Sequence, residues 1–355
     1  MRVTVHPAFE IVRDAICSGP IPGAAIAVGG ADGVHFACFG RTSSVIGPAT
    51  SSTMSPSTSS DPESEPVTLE TVYDLASLTK VMLTTTLIVR AVKDGVLDPN
   101  ARLETIVPEI AGFDLADATI FELASHIAGL AAFSKLRFLG LPREQSLRRA
   151  LEEPRVNPRG TVLYSDQGFI ALGAILERVF GMRLDGLADD LFKPLGLGLT
   201  FHPNPAQCAP TEFVPERGGL IRGVVHDENA AALEGVAGHA GLFGSVRDVA
   251  GFVAALLDER IVSSTSLDFM FAEHARSLND RRAFGWVKRH DDWSGGDAAP
   301  DTALGHTGFT GTGVWFDPVL RRFFALLTNR VNPSRHTETG IRELRQAVGD
   351  AVWTS

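Results

Sequence analysis

Ser77 and Lys80 stand three residues apart in the run YDLASLTKVML (73–83), which is otherwise almost wholly apolar. Positions i and i+3 share one face of a helix, so the amine can reach the hydroxyl. A serine hydroxyl is a weak nucleophile until a base takes its proton. A lysine desolvated by apolar neighbours can be that base if its pKa falls several units from about 10.4. Ser77 also falls near the start of the expected helix, where free N–H groups favour the oxyanion of acyl transfer. The competing reading is a capping serine with a snorkelling lysine. Of the five lysines (80, 93, 135, 193 and 288), only Lys80 follows a serine by three, and it sits where an exit to solvent is hardest.

Two further stretches carry chemistry. LYSDQG holds Tyr164, Ser165 and Asp166, and Tyr164 is one of only two tyrosines in the chain. A phenol beside an ammonium is pushed towards phenolate, which makes Tyr164 a candidate general base or proton shuttle. GHTGFTGTGVWF (305–316) places His306, Thr307, Gly308 and Phe309 in a strand context, where glycines let a substrate approach the backbone closely. Taken singly, each stretch reads more readily as core or bulge. His226, Asp227 and His239 lack the short spacing of a metal site, so they read as loop residues near the site, and no metal or cofactor is expected. His126, before a glycine turn, reads as a structural histidine.

The elements that must hold these residues follow from periodicity. GAAIAVGGADGVHFACFG (23–40) is a hairpin signal around Gly-Ala-Asp-Gly. Residues 76–92 read as a helix apolar on most faces, hence central and buried. Residues 165–181 read as a helix capped by Ser165 or Asp166 and stopped by Gly181, and 245–259 opens with a Ser-x-x-Asp capping signature. AFGWVKRH, GTGVWFDP and RRFFALLTNRV read as strands in meander order, followed by an amphipathic helix over 337–353. Strands at both ends with helices between them imply an α+β fold: one antiparallel sheet built from the two chain ends, flanked by helices, with a mostly helical region inserted. The expected division is 1–70 with 226–355 as the sheet domain and 71–225 as the helical domain carrying the nucleophile. Residues 42–66, rich in Ser, Thr and Pro, read as an exposed loop.

A formal net charge of -10 with no basic run argues against nucleic acid, and no segment reaches the ~20 apolar residues of a membrane span. The N-terminus reads as an amphipathic helix, not a signal peptide, so the cytoplasm is the expected location and a small molecule the expected partner. The three cysteines (17, 38 and 208) have neither metal nor disulfide spacing and read as buried free thiols.

Ser-x-x-Lys, Tyr-x-Asp and His-Thr-Gly, in that order, together resemble the serine β-lactamase and penicillin-binding-protein superfamily. The tyrosine in the second motif is similar to the class C branch, shared with D-Ala-D-Ala carboxypeptidases and family VIII carboxylesterases. Blocks such as IPGAAIAVGGADG, VYDLASLTKV, YSDQGFIALGAILE and GHTGFTGTGVWFDP extend the resemblance over nearly the whole chain. It implies a β-lactamase/transpeptidase-like fold and a serine hydrolase acylated on Ser77, with Lys80 and Tyr164 sharing its activation. The implied substrates are small esters or amides, of carboxylesterase or D-amino-acid and muropeptide peptidase type, with weak β-lactamase activity at most. It implies an oxyanion hole from the N–H groups of Ser77 and Phe309, the latter on the strand after His-Thr-Gly. Asp166 would contact substrate, as would His306, Thr307 and Gly308. Two positions depart from the lactamases: Asp166 stands where they carry asparagine, and His306 where they carry lysine. The second exchanges a fixed charge for one titrating near neutrality. A non-catalytic penicillin-recognising sensor on the same fold is the alternative reading.

Overall fold

The computed structural model describes residues 6–44 and 64–355. Helix α1 (Pro7–Ser18) starts on a proline, whose missing N–H costs nothing there, with His6 as cap. The hairpin β1 (Gly23–Gly30) and β2 (Gly33–Gly40) follows as expected. The central helix differs in detail from the expected α-helix. It starts at Leu78, widens into a π-helical stretch over Lys80–Thr85, and continues as α2 (Thr86–Lys93). Thr86 Oγ1 bonds the Val81 carbonyl at 3.2 Å and Thr84 Oγ1 bonds the Gly238 carbonyl at 2.7 Å, which helps hold the wider turn. Single π turns of this kind recur at functional sites.

Helix α3 (Asp166–Phe180) is capped by the Ser165 hydroxyl and ends on Gly181 at φ +60°. Helix α4 (Val246–Leu257) opens with the capping box of Ser245 and Asp248. The remaining sheet strands are β3 (Ala275–Ser277), β4 (Asp280–Arg282), β5 (Val287–Lys288), β6 (Leu304–Thr307), β7 (Gly313–Asp317) and β8 (Arg322–Thr328), followed by α5 (Ile341–Trp353). They form one antiparallel sheet in the order β2–β1–β8–β7–β6–β5–β4–β3. The first and last thirds of the chain therefore meet where β1 pairs β8, with Ala27 opposite Ala325.

The alternation of β1 explains the layering. Ala24, Ile26 and Val28 face α1 and α5, in a core with Phe9, Val12, Val348 and Phe324. Ala25 and Ala27 face the larger core, which takes in α2, α3 and α4. Each fully buried large apolar side chain contributes about 1.5–3 kcal/mol, so the two faces hold the sheet rigidly under the site.

Two surface expectations need correction. Of the three free thiols only Cys208 is buried: Cys17 is exposed near the polar end of α1, and Cys38 is half-buried on the edge strand β2. The exposed loop expected over 42–66 is anchored inward at its start, for Thr42 and Ser43 are buried and the Thr42 carbonyl accepts from Asn329 at 2.6 Å. Its interior, 45–63, lies outside the described residues. Among the described residues no helix is long and apolar enough to cross a membrane.

Candidate active site

Ser77 lies in the turn between a short strand (Tyr73–Asp74) and the central helix. The residue before it, Ala76, has φ +47°, a left-handed conformation that costs a non-glycine residue about 1–2 kcal/mol. Neighbours hold it there: Asp74 accepts from the Ala76 N–H at 2.8 Å, and Thr79 donates to the Ala76 carbonyl at 2.7 Å. Strain held so firmly beside a candidate nucleophile is the kind that positions a reacting atom.

Lys80 is completely buried, as its apolar surroundings foretold, and its Nζ lies 3.0 Å from Ser77 Oγ and 2.9 Å from the His239 carbonyl. The Tyr164 hydroxyl lies 2.8 Å from the same Oγ. Two segments remote in sequence thus meet at one oxygen, and a third holds the amine from behind.

The charge on Lys80 departs from expectation. Burial opposes it, but the carboxylate of Asp166 at 2.7 Å and the neighbouring phenol outweigh burial and raise the amine above its ordinary pKa. In the resting site Lys80 is an ammonium, not a desolvated free base. Asp166 is accordingly the counter-ion of Lys80, a role the sequence did not assign it, and its side chain also reaches the cavity wall. Tyr164 is raised by its own burial, against the pull of Lys80, so the phenol is protonated at rest.

His306 is corrected too. Its ring is buried, with Nδ1 donating to the Thr307 carbonyl at 2.9 Å. Burial, with Lys80 and Arg282 nearby, pushes it down to about 3. It is a neutral imidazole across physiological pH, not a titrating charge. Thr307 lies on the cavity wall. Gly308 is required by the fold more than by substrate, for a Cβ there would meet the Leu75 carbonyl at 2.6 Å and collide with Thr312 Oγ1. Phe309 lies in the turn after β6, not on a strand, and its ring is half exposed. Thr310 and Thr312 bond the carbonyls of Asp74 and Leu75 at 2.7 and 3.1 Å, tying that turn to the segment before Ser77. Among the described residues the N–H groups of Ser77 and Phe309 have no acceptor, as an oxyanion hole requires.

These groups line a cavity of about 820 Å³, within the range of small-molecule sites. The histidines singled out in the sequence stand near these groups. The His126 ring packs 4.9 Å from the Tyr164 ring and accepts from the Ser165 N–H at 3.0 Å, so it props the tyrosine. His239 pairs with Asp227 at 2.8 Å and His226 with Glu212 at 2.9 Å, two separate pairs. Among the described residues no group of three acidic, histidine or cysteine side chains could hold a metal. Arg345 of α5 is buried, donates to the Thr312 carbonyl at 2.8 Å, and is pushed down to about 9 by burial. Nothing in its amphipathic helix pattern distinguished it.

Residues 10–348 match the β-lactamase family. The chain is 31% identical over 302 residues to an N-acetylmuramyl-L-alanine amidase of Bacillus subtilis (strain 168), covering 73% of this chain and 68% of the relative. It is 32% identical over 306 residues to a putative D-alanyl-D-alanine carboxypeptidase of Salmonella gallinarum, covering 74% and 70%. The fold superimposes on a class C β-lactamase from Rhodobacter sphaeroides with a TM-score of 0.73 at 20% identity, covering 98% of this chain and 99% of the other. With its profile matched almost end to end and its fold shared, the chain belongs to the β-lactamase family.

Proposed function

We propose that the protein is a serine hydrolase that forms an acyl-enzyme on Ser77 and cleaves small amide or ester substrates of the D-amino-acid or muropeptide type. The observation that carries this reading is Ser77 Oγ held at 2.8 Å from the Tyr164 hydroxyl and 3.0 Å from Lys80 Nζ, with the lysine's charge balanced by Asp166. A module that only bound its ligand would have no use for a buried ammonium at the serine.

The proton path follows from those contacts. Lys80 passes a proton to Asp166 as its amine takes the proton of Ser77, so the nucleophile is freed without leaving a net charge buried. An asparagine at 166 could not accept that proton. Tyr164 then donates to the leaving atom and is refilled from Lys80. The N–H groups of Ser77 and Phe309 hold the oxyanion. Water entering after departure of the leaving group reverses the path and releases the acid. The relatives named above carry names that describe alanine amides, which favours that substrate class. A neutral His306 offers no fixed charge to the carboxylate of a β-lactam, so lactam hydrolysis is expected to be weak.

The test is turnover of a short-chain nitrophenyl ester with mass detection of the adduct. An acyl mass on the peptide containing Ser77 is expected. Binding without any adduct or turnover would favour the sensor.

A further inference from the structure

We propose that the edge hairpin β3–β4 forms a subsite for a peptide or carboxamide group in the leaving half of the substrate. This rests on the acyl-enzyme reading above.

The hairpin lies at the edge of the sheet farthest from β2, and Asp280 and Arg282 both contribute to the cavity wall. Arg282 is only 6% exposed. Its Nε and Nη2 both bond one oxygen of Asp280, Oδ2, at 2.9 and 2.7 Å. That geometry leaves one nitrogen of the guanidinium and one oxygen of the carboxylate unused. Among the described residues, Arg282 Nη1 and Asp280 Oδ1 are buried and have no partner. Buried polar atoms are nearly always satisfied, so two orphans on one ion pair ask for a ligand that supplies both partners.

The pair as a whole is neutral and offers one donor and one acceptor. An amide is its complement, with a carbonyl for Nη1 and an N–H for Oδ1. An ester satisfies only the donor. A bare carboxylate satisfies the donor but is repelled by Asp280. The guanidinium lies 5.6 Å from the centre of the Tyr164 ring, and Tyr164 in turn touches Ser77. The subsite therefore sits on the side of Ser77 from which the leaving atom receives its proton. His306, with Nδ1 committed to Thr307, does not compete for that role.

Three acetyl esters test the assignment: O-acetyl-lactamide, its methyl-ester analogue, and O-acetyl-lactate. All release the same acyl group, so they differ only in what the leaving half shows the hairpin. In the wild type, kcat/KM for the lactamide is expected to exceed that for the methyl ester by roughly tenfold or more. Asp280→Asn, which keeps the shape but puts a donor where the acceptor was, should bring that ratio towards one, as should Arg282→Gln. Arg282→Lys should restore it in part. If Arg282→Gln does not fold, Asp280→Asn decides. Equal wild-type rates, or a ratio unmoved by the variants while Ser77 still carries the acetyl mass, overturn the subsite and leave the acyl-enzyme intact. Absence of acetyl on Ser77 overturns both. A preference for lactate that is lost in Arg282→Gln but kept in Asp280→Asn also overturns the amide assignment, in favour of an anion.

Discussion

The two walls of the cavity are built on opposite terms. On the helical wall, Ser77 Oγ meets Lys80 Nζ and the Tyr164 hydroxyl at 3.0 and 2.8 Å, and Asp166 Oδ1, which makes no hydrogen bond among the described residues, pairs with the amine by charge at 2.7 Å. On the sheet wall, His306 Nε2 and Arg282 Nη1 are buried without partners among the described residues, as is Arg345 Nε on the adjoining α5. The first arrangement is what preorganised chemistry requires, since groups already aimed need no reorganisation when charge develops. The second holds hydrogen-bonding capacity open for something from outside. The contrast implies that changes on the helical wall alter rate, whereas changes on the sheet wall alter selection.

The largest expected effect would confirm the helical wall as the seat of chemistry. Ser77→Ala should abolish turnover and fluorophosphonate labelling with folding intact. Labelling that persisted on another serine would move the reaction elsewhere. Next come the proton carriers. Lys80→Ala and Tyr164→Phe should each slow acylation by at least about 10²-fold, with the double variant little worse than the worse single. Fully additive losses would show that they do not share one path. Asp166→Ala should also destabilise the fold by about 3–5 kcal/mol in chemical denaturation, because it strands a buried ammonium. A loss under about 1 kcal/mol would mean that Lys80 is neutral after all.

The sheet wall predicts subtler behaviour. With His306 pushed down to about 3, the kcat/KM ratio of anionic to neutral esters should stay flat from pH 5.5 to 8. A ratio that climbed on acidification would mean that the imidazole charges when substrate binds. The same depression has a stability consequence. The unfolded chain binds a proton at this histidine below its ordinary value of 6.5, while the folded chain refuses it until about 3. Stability should therefore fall as pH drops from 6.5 towards 3. His306→Gln should flatten that slope in thermal melts, and an unchanged slope would assign the acid sensitivity to other groups such as His126, which burial also depresses. The smallest effect is that of chelation. Prolonged EDTA should leave activity unchanged, and recovery with added zinc would break the reading of His226–Glu212 and His239–Asp227 as two separate pairs.

The elements that sequence alone could place are those whose signals are local. Ser165 and Ser245 cap helices through hydrogen bonds three residues long, and the β1–β2 hairpin turns on its own Ala-Asp pair. The burial of Lys80 was legible because its neighbours on most helix faces are apolar. The ends of the chain could be assigned to one sheet from strand alternation, and the motif order pointed to the family. What was misread depends on meetings across the chain. The charge of Lys80 depends on Asp166, 86 positions away along the sequence, coming within 2.7 Å. The ring of His306 lost its charge because the fold buried it near two cations.

Sequence by itself determined which residues could react and which elements would carry them, since hydrophobic period and capping act over a few residues. Only the tertiary structure decided their protonation and their partners. A titratable group responds to the desolvation and charges that surround it in space, and that surrounding comes from segments the chain order keeps far apart.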